Sequence, residues 1–313
     1  MARAFGADIG YHSVKLYLPE EDTPYISEPA VLALNGNDTV AACGSAALRL
    51  AKRVPGTVRI IHPFSGETTP DPEHAAAYFA YLVKGKKLRG YDLCFSLSGR
   101  HDEETETIFV EAAQKAGVRD VMAVESLYAA ANGCNIPAVA ESAVINIGAS
   151  VTDMGCFCRA QQVASASCGY AGNLFDRAIV AYVLRKYRLS LTLEEAERIK
   201  CALGTMSPTG GRTLEAMALR PAMGLPKKIV LTEEEISACF ENVFDHLVDE
   251  ILALVRGLQL DPDKIILTGG GAKLSELASA LAPLLCLPVV VAKEPELAVI
   301  RRVAVLMNQG KRK

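Results

Sequence analysis

Three short segments carry the groups that could hold a polyphosphate. Asp8-Ile9-Gly10 follows the apolar run Ala4-Phe5-Gly6-Ala7, Asn146-Ile147-Gly148 follows Ser142-Ala143-Val144-Ile145, and Ile265-Ile266-Leu267-Thr268 runs into Gly269-Gly270-Gly271. A glycine just past a buried strand lets the chain turn with positive φ and brings backbone N–H groups against an anion with no Cβ in the way. Two such turns facing each other would hold a polyphosphate and its metal from both sides, and the triple glycine leaves room for a flat base or ribose. Each charge-assisted contact contributes roughly 1.5–3 kcal/mol, so a few give micromolar affinity. One glycine after one strand reads equally as a plain turn; three in this order point to a nucleotide cleft between two related halves.

The turns need strands to stand on, and hydrophobic periodicity supplies them. The pattern predicts a hairpin over 4–18 returning toward 29–34, helices over 45–53, 71–83 and 102–116, strands at 57–61, 92–97 and 118–124, and a short helix ending at Asn132-Gly133. The second half repeats the theme: strands at 143–147, 152–158 and 162–167, helices over 173–187 and 193–203, a strand at 228–231, and a long helix ending near Gly257. Strand, glycine turn, helix, strand (288–291) and a last helix close the chain. Thr192 with Glu195, and Thr232 with Glu235, have capping-box spacing, and Gly117 and Gly204 are stops. The signature recurs 138 positions on (146 − 8), an internal duplication of one α/β unit.

Composition narrows the function. A chain of 313 residues, half of them hydrophobic, exceeds the roughly 250–300 at which a single core stops growing, so two lobes are expected. A net charge of −3 and the absence of Trp give no field or stacking surface for nucleic acid. Nine cysteines without a C-x-x-C pair suit a reducing, cytoplasmic location; Cys156-Phe157-Cys158 reads either as a metal pair or as buried thiols. No apolar run reaches the roughly 18 residues of a membrane span, and no signal peptide is recognised.

The residues resemble the actin-like ATPases, most closely the bacterial MreB family of rod-shape proteins. The resemblance runs from Asp8 to about Met307 and rests on Glu28-Pro29-Ala30-Val31 with Pro55-Gly56-Thr57 and Ile61-His62-Pro63; on Gly172-Asn173-Leu174-Phe175-Asp176 and Ala196-Glu197-Arg198-Ile199-Lys200; and on Gly224-Leu225-Pro226-Lys227 with Leu267-Thr268-Gly269-Gly270-Gly271. It implies an actin-like (ribonuclease H-like, duplicated) two-lobed α/β fold with a nucleotide cleft between the lobes. The implied subdomains are 1–28 plus 64–143 plus 293–313 and 29–63 in lobe I, and 144–171 plus 246–292 and 172–245 in lobe II.

It also implies ATP or ADP with Mg²⁺. Asp8, Gly10, Tyr11, His12 and Lys15 fall in the first phosphate loop, with Asp8 reaching the metal through water. Gly148, Ala149, Ser150 and Thr152 fall in the second, followed by Gly172 and Asn173, and Gly269, Gly270, Gly271 and Lys273 form the adenosine loop. Lys15 stands as in FtsA and PilM and would be a point charge on the β- and γ-phosphates; a strand lysine reaching solvent is the other reading. Glu197 and Lys200, one turn apart, either line the pocket or form a surface ion pair.

The chain departs from the family where hydrolysis is run. Tyr11-His12 replaces the Ser or Thr that donates to the terminal phosphate, and the phenol either crowds that position or stacks elsewhere. Asn146 replaces the Asp that organises metal-bound water, keeping its shape and losing its charge. Ser126 stands where the attacking water is positioned, with Glu125 one place early; losing such a group costs roughly 10²–10⁴ in rate. Arg301-Arg302 replaces small residues of the hinge helices, and Asn173 replaces an acid.

Two functions are expected from this pattern: a filament-forming cytoskeletal protein that organises cell shape or wall machinery, or a non-polymerising nucleotide-binding scaffold or chaperone of the FtsA, PilM or EutJ type. A sugar or carboxylate kinase would need a substrate-binding segment for which the chain has no spare length. Partners are copies of the chain itself and membrane-bound cell-shape proteins. The segment 84–91 holds Lys84, Lys86, Lys87 and Arg89 beside Leu88 and Tyr91, and reads either as a contact for an anionic inner-membrane leaflet or as a solvated charge run. Lys311-Arg312-Lys313 adds terminal charge.

Overall fold

The structure is a computed structural model and describes residues 3–54, 56–64, 68–98, 102–134, 141–159, 161–221, 224–257 and 262–310. Pro55 and the basic end 311–313, both singled out above, lie outside the described residues. The chain divides into two units, Met1–Ile136 with Glu296–Lys313, and Pro137–Pro295.

The first unit begins with strands β1 (Ala4–Ile9), β2 (Ser13–Tyr17), β3 (Tyr25–Pro29), β4 (Leu32–Leu34) and β5 (Val40–Cys43), then α1 (Gly44–Arg53) and β6 (Arg59–Ile61). It continues with α2 (Pro72–Gly85), β7 (Asp92–Leu97), α3 (Glu103–Lys115), β8 (Asp120–Glu125) and α4 (Ser126–Gly133), and the last helix of the chain, α9 (Ala298–Gly310), belongs to it. Its main sheet has the order β3-β2-β1-β7-β8, antiparallel through the first three strands and parallel thereafter. A small antiparallel sheet, β5-β4-β6, stands apart from it.

Both faces of the main sheet are covered, which is why β1 is buried along almost its whole length. Phe5, Ala7, Ile9, Val14, Leu16 and Phe95 share one core with Phe79 and Leu82 of α2 and Phe109 of α3. Phe64 stands edge-on to Tyr78 and Phe109, centroids 5.1 and 5.2 Å away. On the other face α9 lies so close that a Cβ on Gly6 would sit 2.8 Å from Val303 Cγ1. Asp71 caps α2 by accepting from the amides of Glu73 and His74, and Asp102 caps α3 by accepting from Thr105.

The second unit repeats this plan. It holds β9 (Glu141–Ile147), β10 (Thr152–Cys158), β11 (Gln161–Cys168), α5 (Gly172–Tyr187), α6 (Leu193–Leu203), β12 (Thr213–Leu219), β13 (Pro226–Thr232), α7 (Glu233–Gly257), β14 (Lys264–Thr268), α8 (Leu277–Leu285) and β15 (Val289–Val291). Its sheet order, β11-β10-β9-β14-β15, matches that of the first unit strand for strand, again antiparallel and then parallel. Ala143, Ile145, Ile147, Met154 and Leu267 pack against Leu247, Ile251 and Leu281 of α7 and α8. A ribbon of β12 and β13 closes a separate core with α5, α6 and the start of α7, around Phe175, Ile199, Leu231 and Phe240.

Three strands, β3, β5 and β12, are absent from the sequence reading, and the stretch 29–34 read as the return of the first hairpin holds β4 of the small sheet instead. The residues of β12 (Thr-Leu-Glu-Ala-Met-Ala-Leu) are mostly helix formers; Ala216 and Ala218 are buried in the core and Leu214 packs against it half-buried. The Thr232 box forms in both directions, Thr232 N–H to Glu235 Oε2 at 2.9 Å and Glu235 N–H to Thr232 Oγ1 at 3.3 Å. At Thr192 only the forward bond forms, because Glu195 takes the Arg198 guanidinium and the Met217 amide of β12 instead.

Candidate functional site

In the first unit the turn after β1 is closed by Gly10 N–H to Ser13 O at 3.2 Å, and a Cβ on Gly10 would approach that oxygen to 3.0 Å. Asp8 and Lys15 are direct partners across β1 and β2, and Lys15 Nζ lies 3.0 Å from Asp8 Oδ2. Ser96 of β7, on the other flank of Asp8, donates to Oδ1 at 2.9 Å. Lys15 therefore does not extend into solvent; it neutralises Asp8 beneath the turn. Ser96 was not among the expected residues, and its only signal was an alternating strand that has to lie beside β1.

Tyr11 does not crowd the turn. Its ring stacks on His62 with centroids 4.1 Å apart and planes 12° from parallel, and His62 Nδ1 lies 3.0 Å from the Tyr11 carbonyl oxygen. His12 is exposed, with its carbonyl accepting from Ala30. Stacked aromatic pairs contribute roughly 0.5–1.5 kcal/mol beyond burial. A double-mutant cycle in urea with Tyr11→Leu and His62→Ala should return a coupling of about 1 kcal/mol, and additive single effects would remove the stack as a stabilising contact.

Glu125 is the exposed last residue of β8, opposite Leu97, and Ser126 is the buried first residue of α4. The helices α4 and α9 do pack tightly despite Arg301-Arg302. A Cβ on Gly133 would fall only 1.8 Å from Ala298 O, and the Arg302 guanidinium lies 6.0 Å from the Tyr128 ring centre.

In the second unit the equivalent turn is closed by Gly148 N–H to Val151 O at 2.9 Å, the same bond moved 138 positions (148 − 10, 151 − 13). Here a Cβ would meet Val151 O at 2.8 Å. The first amides of α5 anchor the turn from below, Gly172 N–H to Gly148 O at 3.0 Å and Asn173 N–H to Ala149 O at 2.6 Å. The start of α5 therefore holds two carbonyls of the turn in place. Thr152 is buried, with its hydroxyl donating to Tyr170 O at 2.8 Å.

Lys200 of α6 donates to Gly172 O at 3.0 Å and to Asp176 Oδ2 at 2.8 Å, so its charge sits under the start of α5. Asp176, missed in the sequence as a functional partner, is one turn along α5 from Gly172, a spacing that would have found it. Glu197 is half-buried on α6.

Gly269 leaves β14 at φ 82° and ψ 171°, a region reserved for glycine, and a Cβ there would meet Ile147 O at 2.3 Å. A Cβ on Gly271 would meet Ile147 Cγ2 at 2.3 Å, whereas Gly270 has open space. Gly270–Lys273 form a 3₁₀ turn that ends on exposed Lys273.

Mg²⁺ is held with phosphates by one or two carboxylates and several waters. Among the described residues no three acidic, His or Cys side chains form a cage, and a carboxylate beneath a glycine turn fits an ion carried in by a nucleotide. Burial pushes the Cys156 thiol up to about 11, and a hydrogen bond from Cys158 to Glu141 raises the Cys158 pKa, so neither offers a ready thiolate for the metal pair considered above. In the segment 84–91, Leu88 is buried in the core and Lys86 lies 3.4 Å from Glu28.

The sequence profile described as MreB/Mbl protein matches residues 2–312. The cell shape-determining protein Mbl of Bacillus subtilis (strain 168) is 28% identical over 313 residues, covering 94% of this chain and 92% of the relative. The cell shape-determining protein MreB of Escherichia coli (strain K12) is 28% identical over 318 residues, covering 94% and 90%. Among solved structures, MreB5 of Spiroplasma citri bound to ADP superposes with a TM-score of 0.88 at 22% identity, covering 98% of this chain and 97% of that one. A MamK double helical filament superposes with a TM-score of 0.79 at 17% identity, covering 97% and 98%. The duplicated sheet order is thus an actin-like fold, and the profile match along nearly the whole length makes this chain a member of the MreB/Mbl family.

Proposed function

We propose that this chain binds ATP or ADP with Mg²⁺, assembles with copies of itself into filaments, and organises cell shape or the cell-wall machinery. The observation that supports this reading is the repeated turn, closed by Gly10 N–H to Ser13 O and by Gly148 N–H to Val151 O, whose other backbone amides would receive an anion. The relatives named for cell-shape determination, an MreB5 solved with ADP and a MamK solved as a double helical filament support it.

In this reading the phosphate-contacting residues are Gly10, Tyr11, His12 and Lys15 of the first turn. Those of the second turn are Gly148, Ala149, Ser150 and Thr152, backed by Gly172 and Asn173. Gly269, Gly270, Gly271, Lys273, Glu197 and Lys200 border the nucleoside. Asp8 meets the metal through water. The four sheets correspond to four subdomains, with the boundary between the two lobes taken at 136/137 and 295/296 so that β9 is not divided. Glu125, Ser126 and Asn146 stand where water is handled, and hydrolysis is slow. The location is cytoplasmic; among the described residues no helix is long and apolar enough to cross a membrane. Contact with an anionic leaflet would come from Lys84, Lys87 and Arg89 without Leu88, and liposome flotation at low and high salt reads it.

Pelleting and light scattering with ATP, with ADP and without nucleotide test the filament. Sedimentable polymer with nucleotide is expected, and no assembly in any state would reject it. The second reading, a non-polymerising scaffold, is favoured by the Asp8–Lys15 pair and by Asn146, which weaken metal chemistry. Phosphate release as fast as in an intact family member would reject slow hydrolysis.

A further inference from the structure

The chain that leaves α6 crosses to the glycine turn that follows β14. Helix α6 stops at Gly204, whose amide donates to Lys200 O at 2.8 Å. A Cβ on Gly204 would meet Lys200 O at 2.3 Å and Leu274 Cδ1 at 3.0 Å, so a side chain here would push the end of α6 away from Leu274. The next two residues run beside the exit of the 3₁₀ turn Gly270–Lys273. Thr205 pairs with Ser275 as a parallel bridge, and Met206 N–H donates to Ser275 O at 2.9 Å.

This join is held from both sides. Thr205 is buried; its carbonyl accepts from Ser237 Oγ of α7 at 2.8 Å, and its hydroxyl accepts from Ser207 N–H at 3.2 Å. Leu274 N–H donates to Gly271 O at 3.0 Å, which closes the turn itself. Met206 and Leu274 each pack against both cores of the second unit, the one with Leu267 and Leu281 and the one with Phe175 and Phe240. Farther along, the Arg212 guanidinium returns to the end of α6, donating to Ala202 O at 3.3 Å and to the buried Glu233 at 3.1 Å. The turn and the helix belong to different cores, Ala272 to the first and Ile199 to the second. Packed cores resist deformation more than they resist sliding past one another, so the spacing between these two elements is set where the cores are tied.

We propose that the Thr205–Ser275 join is a clasp that fixes the spacing of the two nucleoside walls, Gly269–Lys273 on one side and Glu197 with Lys200 on the other, and that Thr205 and Ser237 are positioning residues for the nucleoside. Both act through the turn and the helix rather than on the ligand. A wall already held at its bound spacing spares the ligand the cost of ordering it. This role rests on the nucleotide-binding reading above.

The test compares ATP with tripolyphosphate, which carries the phosphates without a nucleoside, by calorimetry and competition on the full chain in Mg²⁺. Ser237→Ala and Thr205→Val each remove one hydroxyl of the clasp; each should weaken ATP by about 3–10-fold and leave tripolyphosphate unchanged. Ser237→Thr keeps the hydroxyl and should bind ATP as the unmodified chain does. Lys200→Met, which frees Gly172 O beneath the second phosphate turn, should instead weaken both ligands. Unchanged ATP affinity in both hydroxyl variants overturns the inference while leaving nucleotide binding in place. So does an equal fall for ATP and tripolyphosphate, which would make the clasp a packing contact of the whole unit. If tripolyphosphate does not compete, adenosine takes its place: its affinity should fall by the same factor as that of ATP, and no fall overturns the proposal. If Thr205→Val does not fold, Ser237→Ala and Ser237→Thr carry the comparison, and equal ATP affinity in the two overturns it. No ATP binding by the unmodified chain overturns the nucleotide reading itself and this inference with it.

Discussion

Alanine at Gly269 should destabilise the protein by about 2–6 kcal/mol and abolish measurable ATP binding. Two independent costs add. The backbone there has φ 82° and ψ 171°, a region that costs an L-residue roughly 1–3 kcal/mol. The new methyl would also lie 2.3 Å from Ile147 O and 2.8 Å from Ile147 C. Both are backbone atoms of β9, held by pairing with β10 and β14, so they cannot yield as a flexible side chain would. Overpacking of this kind costs typically 1–3 kcal/mol. Relief by moving β14 would break the register between Thr268 and Asn146 and shift the second phosphate turn. Gly270 is the internal control: its Cβ position is open, and Gly270→Ala should cost under about 1 kcal/mol. Urea midpoints for the two variants decide the matter, and equal midpoints would falsify the account of why the first glycine is there.

Lys200→Met should cost about 3 kcal/mol, a value set by the carboxylate it abandons rather than by the bond it breaks. Asp176 is 5% exposed, and its Oδ2 is 2.8 Å from the lysine ammonium. The same ammonium donates to Gly172 O, and the Gly172 amide donates to Gly148 O. Removing the lysine therefore loosens the anchor of the second turn as well as the α5–α6 contact, and ATP affinity should fall alongside stability. Lys200→Met combined with Asp176→Leu should recover most of the stability, since a charge pair replaced by apolar groups of similar volume is often neutral, but not the affinity. A double variant no more stable than Lys200→Met would show that the carboxylate was not the source of the cost.

The strands under the glycine turns were legible because their signals are local: apolar runs ended by Gly10, Gly148 and Gly269, and the repeat distance itself. The cap at Thr232 was legible for the same reason, since its partner lies three residues on, and so were the helix starts at Asp71 and Asp102. What failed was decided at a distance. Whether Tyr11 would crowd the turn or stack aside depends on His62, 51 residues on. The Thr192 cap is incomplete because Glu195 is drawn to Met217 of a strand whose own residues favour helix.

The ends of the second sheet bear on a hazard that any self-assembling protein faces. Its outer strands expose Val290 and Val291 on one side and Val163 on the other, and open edges of this kind template uncontrolled strand pairing and amyloid-like aggregation. β15 is only three residues long, so a foreign strand would gain too few hydrogen bonds to register there. β11 is eight residues long, but its pairing with β10 slips at Cys156/Phe157, and such a bulge twists an edge away from a flat partner. Both features discourage a foreign strand from pairing along the edges of this sheet.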